Sequence, residues 1–430
     1  MLPLVSHRHG HGTLRRLLRR SLKISVIEGL LAEVVGACAT GGVLTAWALW
    51  LELPPVLIGL LGALPYAAQV VQLPAAWISR RLGSRRHALW AVTLSRQAVL
   101  PMALIPWLPW PRTVFLACVL VSAALGVAGN NGWTAWMGDL VPGRIRGRYF
   151  GRRSALCALS NCAGSIAVGL LLDKANAAVA LPALSLAACA AGLGTTLLLR
   201  AQHDPARTPP AAPTLDDALE PARDPLLRRV LAWQVAWSAA SGVAAAFYPI
   251  HMVANLRMSF SLLALYNGGI AAAKFAAAPW WGRWIDRRGE RPVLAACCFA
   301  LGLSPMLWLF ATPSRLWPLA FDAALSGACM AGLSLASFSL PVALSRPKSR
   351  AFYVAAISSA GGLAAALGSS GGGALAHLLP APASLFGRPL LAAQALFVVG
   401  GVARLAAAGL ALRVRRVPAV AVEQPILLAA

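Results

Sequence analysis

The chain has 430 residues, of which 58% are hydrophobic and 12% charged, and its formal net charge is +24. A soluble protein of this length carries about 25% charged residues, so the composition excludes an ordinary soluble domain. The apolar residues arrive in runs of roughly 20, which is the length of helix that crosses a bilayer.

These apolar runs predict an all-α integral membrane protein with about twelve transmembrane helices. We number the predicted helices as spans 1 to 12. Their approximate limits are 25–50, 55–79, 88–108, 113–137, 154–173, 178–199, 228–250, 260–281, 292–311, 316–343, 352–376 and 390–412.

The basic residues fall mainly on one side of this predicted topology. Of the 38 Lys and Arg residues, 30 lie in the two tails and the even-numbered connections, and only five lie in the odd-numbered connections. This positive-inside bias predicts a multi-pass protein of the cytoplasmic (inner) membrane with both termini in the cytoplasm. The basicity is thus explained by topology, and nucleic acid is not expected as a partner.

The chain shows no pattern of a catalytic or metal centre. All eight cysteines lie within apolar runs and lack the spacing of metal ligands. No connection holds a nucleophile–base arrangement or a phosphate-binding glycine loop. We therefore expect no metal, no cofactor and no enzymatic activity.

The N-terminal part begins with a basic tail, residues 1–24. Span 1 carries Glu28 near its cytoplasmic end and Glu33 about two turns deeper, where a carboxylate is costly unless it faces a cavity or a partner. Span 3 holds Arg96, and span 4 ends with Asn130 and Asn131, two adjacent amides of which one is expected to face the bundle interior.

Residues 201–226 differ from their surroundings. They contain six prolines and five of the fourteen acidic residues, which is typical of a polar linker. The linker predicts two six-helix halves, at 25–200 and 227–414, followed by a tail at 415–430.

The C-terminal half has its own polar positions inside the membrane. Trp233 and Trp237 share one face of span 7, Lys274 lies near the middle of span 8, and Asp322 lies in span 10. Arg404 interrupts the otherwise apolar span 12. Each interior charge costs about 2.5–3.5 kcal/mol on insertion scales. The charges therefore indicate either a water-filled pathway or internal salt bridges that fix helix register.

Two loops carry a family resemblance. The connection at 282–291 reads Gly-Arg-Trp-Ile-Asp-Arg-Arg-Gly-Glu-Arg, and a weaker copy lies 206 positions earlier, at 76–85. The connection at 139–153 begins Asp-Leu-Val-Pro and is rich in arginine. These loops resemble those of the major facilitator superfamily of transporters.

The resemblance implies two pseudo-symmetric six-helix bundles that work by alternating access around a central cavity. It places a substrate- and proton-binding set on or near the cavity: Glu33, Asn130, Asn131, Trp233, Trp237, Lys274 and Asp322. It also implies a cytoplasmic gate, made of Gly83, Arg85, Asp139, Arg146, Arg148, Gly282, Asp286, Arg287, Gly289 and Arg291. In the first-half copy, Ala76 and Arg80 replace the glycine and aspartate of the pattern, so Asp139 with Arg85 is considered as a substitute latch.

The sequence thus predicts a secondary active transporter of a small molecule, coupled to protons, with export slightly favoured over uptake. The alternative is a transporter-like membrane sensor or scaffold without transport activity. We expect the lipid bilayer, a small-molecule substrate and protons as partners, and we favour a monomer.

Overall fold

The computed structural model describes residues 7–204, 220–221, 223–344, 350–378, 383–385 and 388–412. The predicted tail at 415–430 and most of the predicted linker lie outside these residues. The same is true of the side chains of Arg146 and Asp286.

The N-terminal half contains six helical spans. Their bounds are His7–Ala39 with Gly42–Trp50 for span 1, Pro55–Ala67, Ala68–Val71 and Gln72–Leu82 for span 2, Ser84–Gln97 with Leu100–Trp107 for span 3, Pro111–Leu140 for span 4, Gly143–Lys174 for span 5 and Ala177–Arg200 for span 6.

The C-terminal half repeats this arrangement. Its helices are Pro225–Ala245, Phe247–Ile250 and His251–Asn255 for span 7, Phe260–Arg288 for span 8, Glu290–Leu307 for span 9, Trp317–Leu344 for span 10, Arg350–Leu378 for span 11 and Ala392–Ala411 for span 12. A two-stranded antiparallel ribbon, Ala383–Leu385 with Arg388–Leu390, connects the last two spans.

Local breaks in the helices follow from glycine and proline. Span 1 is interrupted at Gly41, whose φ of +57° leaves the helical region. Span 2 changes from α-helix to a 3₁₀ turn at Ala68, shortly after Pro65. Proline cannot donate the helical hydrogen bond, and this favours a break in the helix. Span 1 begins at His7, so its helix extends into the predicted tail.

Ten of the described helices are long and apolar enough to cross a membrane, and Pro55–Val71 is a shorter apolar helix. Together with span 1 they are consistent with twelve spans. The predicted fold class, an all-α membrane protein of two six-helix bundles, is confirmed.

The two halves share one packing pattern. In the N-terminal half, span 1 packs against spans 5 and 6, and span 3 packs against spans 4 and 6. The equivalent helices of the C-terminal half do the same: span 7 packs against spans 11 and 12, and span 9 packs against spans 10 and 12. The internal duplication that the loops indicate is therefore present in the packing of the helices.

Two seams join the halves, one between spans 2 and 11 and one between spans 5 and 8. Small residues allow close approach at the first seam. Ser369 donates a hydrogen bond to the carbonyl of Gly59 over 2.8 Å, and a Cβ on Gly59 would stand 2.6 Å from the Cα of Gly373. The glycine- and serine-rich face of span 11 is thus a contact between bundles.

The two ends of the molecule are packed differently. We call the side that carries residues 7, 204 and 412 the linker face and the opposite side the far face. Toward the far face one apolar cluster combines buried residues of both halves, such as Trp47 and Phe397. Each of the other described clusters draws its buried residues from one half alone. The halves are therefore closed together at the far face.

Candidate functional site

A cavity of about 610 Å³ lies between the halves, bounded by spans 1, 5 and 8. Its far end is formed by Val43, Leu172 and Phe260, which belong to or pack against the shared apolar cluster. The remainder of the lining mixes small and apolar residues, such as Ala37, Val168 and Leu263, with polar side chains. The polar side chains are those of Glu33, Thr40, Arg153, Ser154, Asn161, Ser165 and Asn267. The cavity thus carries polar and charged groups and is closed on the far side.

Glu33 is the acidic residue of the cavity wall. Its Oε2 accepts a hydrogen bond of 3.0 Å from the side-chain amide of Asn161 on span 5. The side chain is half-buried, and its Oε1 accepts no hydrogen bond from the described residues. Glu33 therefore has a carboxylate oxygen available at the cavity, and its role in binding stays a prediction.

A buried charge cluster adjoins the cavity in the N-terminal half. Glu28 is 3% exposed and receives the Nη2 atoms of Arg96 at 3.1 Å and Arg153 at 3.2 Å. Arg153 also donates to the carbonyl of Ser25 over 3.1 Å and lies over the ring of Trp133, 4.5 Å from its centroid. This cluster ties together spans 1, 3, 4 and 5 and carries one excess positive charge.

A second polar group lies inside the C-terminal half. Asp322 is 2% exposed and accepts hydrogen bonds from the hydroxyls of Tyr266, over 2.5 Å, and Ser326, over 3.0 Å. No cation pairs with it among the described residues. Arg404, in span 12, instead donates to the carbonyls of Leu301 and Ser241.

Span 8 separates Asp322 from the cavity. Tyr266 points from span 8 toward Asp322, whereas Leu263, Asn267 and Gly268 of the same span line the cavity. Glu33 and Asp322 are thus two distinct acidic sites, one accessible and one enclosed.

The other predicted binding residues lie elsewhere. Trp233 and Trp237 are buried in the apolar cluster of the C-terminal half. Asn130 is exposed and Asn131 half-buried on span 4, and Lys274 is exposed on span 8. Of the predicted binding set, the described cavity lining contains Glu33 alone. Substrate contact by the other residues stays a prediction.

The two duplicated loops have the same backbone geometry at the second glycine position of the pattern, which is Gly83 in one copy and Gly289 in the other. Gly83 and Gly289 each end one helix and precede the next, with φ values of +84° and +80°. Only glycine adopts this conformation without strain. A Cβ on Gly282 would meet nothing within 4 Å, so this position is uncrowded in the described state.

The charged residues predicted for the gate are spread over the linker face. Arg85 donates to the carbonyl of Arg200 over 2.8 Å and lies over the ring of Trp136. Arg148, Arg287 and Asp139 are exposed, and Arg291 is half-buried. Their role in a gate stays a prediction.

A contact at the far face was not predicted. The carboxylate of Asp173, at the end of span 5, accepts hydrogen bonds from the backbone N–H groups of Phe260, over 2.6 Å, and Ser261, over 3.0 Å. Asp173 thereby caps the N-terminus of span 8 from the other half. The one signal in the sequence was an acidic residue at the end of a span, which does not identify its partner.

Comparison with known proteins relates part of this chain to a family. Residues 236–427 match the model of the Major Facilitator Superfamily. No curated protein sequence gives a significant match to the chain.

Three solved transporters share the fold. The nucleoside transporter NupG is 11% identical, with a TM-score of 0.68 over 91% of this chain and 98% of that one. A bacterial homologue of the iron transporter ferroportin in an inward-facing state is 15% identical, with a TM-score of 0.63 over 92% and 98%. The human organic anion transporter MFSD10 is 16% identical, with a TM-score of 0.58 over 92% and 99%.

The resemblance predicted from the loops is therefore confirmed: residues 236–427 match the family model, and more than nine-tenths of the chain shares the fold of the three solved transporters.

Proposed function

We propose that this protein is a secondary active transporter that moves a small molecule across the cytoplasmic membrane by alternating access. The observation that carries the proposal is the polar cavity at a seam between the two halves, closed at the far face by residues of both. Such a compartment at the interface of two repeated bundles suits a carrier whose halves rock about a central site.

Coupling to protons is supported by the two interior carboxylates. Glu33 lines the cavity, and Asp322 is enclosed without a cationic partner among the described residues. An ionised carboxylate without a counter-charge is costly in a membrane interior. We therefore assign cargo contact and exchangeable protonation to Glu33, and proton binding to Asp322.

We propose export as the favoured direction of transport. The positive-inside bias predicts that the linker face lies in the cytoplasm, and the far face is where the halves are closed together. In this state an exporter would take up its cargo from the cytoplasm, and an importer would release its cargo there. The described state is thus compatible with export, which we keep slightly ahead of uptake.

The test is a measurement of internal pH in proteoliposomes under an imposed pH gradient, as a panel of small molecules is added. The proposal expects a substrate-dependent proton leak that is lost in Asp322→Asn and in Glu33→Gln. Glu52→Gln is the matched control, because Glu52 lies in the far-face turn after span 1 and does not line the cavity.

The rival function is a sensor or scaffold that has kept the transporter fold. It predicts neither substrate-evoked proton movement nor exchange of radiolabelled candidates by folded protein. In that case Asp322→Asn and Glu33→Gln would alter only thermal stability. Such a result would overturn the transport proposal.

A further inference from the structure

Several side chains that line the cavity offer hydrogen-bond acceptors. The amide nitrogen of Asn161 donates to Glu33, and that of Asn267 donates to the carbonyl of Leu263 over 3.1 Å. Neither amide oxygen accepts a hydrogen bond from the described residues, so each can accept one from a ligand, and each amide nitrogen keeps one further N–H. The hydroxyl of Thr40 likewise donates to the carbonyl of Gly36 over 2.7 Å. These three groups thus leave oxygens for a ligand, beside the free Oε1 of Glu33.

Arg153, the positively charged residue of the cavity lining, makes its described hydrogen bonds with Glu28 and Ser25. Arg153 directs its Nη2 to Glu28 and its Nε to the carbonyl of Ser25, and the ring of Trp133 covers one face of its guanidinium. Along span 5, Arg153 is also about 13 Å from the level of Cys162. Glu33, which accepts a hydrogen bond from Asn161, is therefore the charged lining residue beside Asn161 and Cys162, and the excess positive charge of the Glu28 cluster lies at the level of Arg153.

We propose that the cargo of this cavity is a small organic cation with N–H donors, a protonated amine, and that Glu33 is its counter-ion. The ammonium hydrogens would be shared between Glu33 and the amide oxygens of Asn161 and Asn267. A carboxylate with surrounding carbonyl-type oxygens matches such a donor in charge and in hydrogen bonding. This inference rests on the proposed function, since it names the cargo class of the same cavity.

The chain contains a suitable reporter of the charge selectivity of this cavity. Cys157 and Cys162 both line the cavity, but Cys162 is half-buried, whereas Cys157 and the other six cysteines are buried. The experiment compares the rates at which purified protein reacts with cationic 2-aminoethyl and anionic 2-sulfonatoethyl methanethiosulfonate. The ratio of rates is divided by the ratio for a free thiol in solution. Cys162→Ser identifies the reaction at this position.

We expect the normalised ratio to favour the cationic reagent by about tenfold in the unmodified protein, because two opposite charges are compared near one carboxylate. Glu33→Gln should abolish most of that preference, and Glu52→Gln should leave it unchanged. Normalisation by the free thiol removes the intrinsic difference between the reagents, so the unmodified protein tests the proposal even if a variant fails to fold.

Two other outcomes would contradict the cation proposal, and one of them would also contradict the transport proposal. A preference for the anionic reagent, or a cationic preference that survives Glu33→Gln, would overturn the cation proposal and leave the transport proposal intact. Lack of reaction of Cys162 with both reagents in folded protein would show that the cavity is not accessible. That outcome would overturn both proposals.

Discussion

Asp173 and Phe260 join the two halves of the molecule at the far face. The Asp173 carboxylate accepts the backbone N–H of Phe260 over 2.6 Å, at the first turn of span 8. Close approach is possible because span 5 has a glycine one turn earlier: a Cβ on Gly169 would stand 2.7 Å from the backbone nitrogen of Ser261. A negative charge at a helix N-terminus is favourable, so this contact stabilises the far-face closure.

Asp173→Ala should therefore shift the protein toward the state that is open at the far face. The substitution removes two hydrogen bonds and the charge at the helix terminus, so we expect an increase of about threefold to tenfold in that population. The measurement is the rate at which a membrane-impermeant maleimide modifies Cys162 from the far side in intact cells.

The control for this measurement is Glu52→Gln, which alters another acid at the far face that has no described contact with span 8. It should leave the rate of Cys162 modification unchanged. An unchanged rate in Asp173→Ala as well would show that the capping contact does not hold the far face closed.

The Glu28 cluster leads to a prediction about stability. Glu28→Gln would leave the buried guanidinium groups of Arg96 and Arg153 without their carboxylate, at a cost of about 3–5 kcal/mol. Arg96→Leu should cost less, because it leaves Glu28 and Arg153 as a balanced pair. Thermal unfolding of both variants in detergent gives the comparison. Equal losses would contradict the assignment of Glu28 as the shared counter-ion.

The sequence predicted the fold because membrane helices leave strong one-dimensional signals. Apolar runs, the asymmetric placement of Lys and Arg, and the repeated glycine at positions 83 and 289 do not depend on tertiary contacts. The positive φ of both glycines explains why this residue occurs in each copy of the loop. These features were sufficient for two bundles of six spans.

The site was harder to predict because it depends on which face of each helix turns inward. Arg96 was unexplained from the sequence, since its partner Glu28 lies 68 positions away. Trp233 and Trp237 share a helical face, but that face packs into the core of one half and does not line the described cavity. Glu33 was identified because a carboxylate so deep in a span needs a polar surrounding.

The seam between spans 2 and 11 gives a comparison within one helix. A Cβ on Gly373 would stand 2.8 Å from the Cα of Gly59, whereas a Cβ on Gly371 would meet nothing within 4 Å. Gly373→Ala should therefore force spans 2 and 11 apart and destabilise the described state by about 1–3 kcal/mol.

Gly371→Ala is the matched control for Gly373→Ala. It lies on the same helix and should be neutral or stabilising by up to about 1 kcal/mol, because alanine favours a helix more than glycine. The unfolding midpoint of each variant in detergent distinguishes these expectations. Equal effects of the two substitutions would show that the seam does not depend on close approach at Gly373.

Gly282 can be used to probe the state in which the linker face is closed. The family resemblance implies that the loop at 282–291 packs closely when the cytoplasmic side is shut, whereas Gly282 is uncrowded here. Gly282→Leu should therefore keep the thermal stability of the described state and hinder closure of the linker face.

We expect Gly282→Leu to reduce transport by about tenfold, since overpacking a closed interface costs on the order of 1–3 kcal/mol. The measurements are radiolabelled substrate exchange in proteoliposomes and unfolding in detergent on the same preparation. Gly409→Leu serves as the control, because Gly409 also lies on a helix and a Cβ there would meet nothing within 4 Å. If both variants retained full exchange, the loop at 282–291 would have no part in closing the linker face.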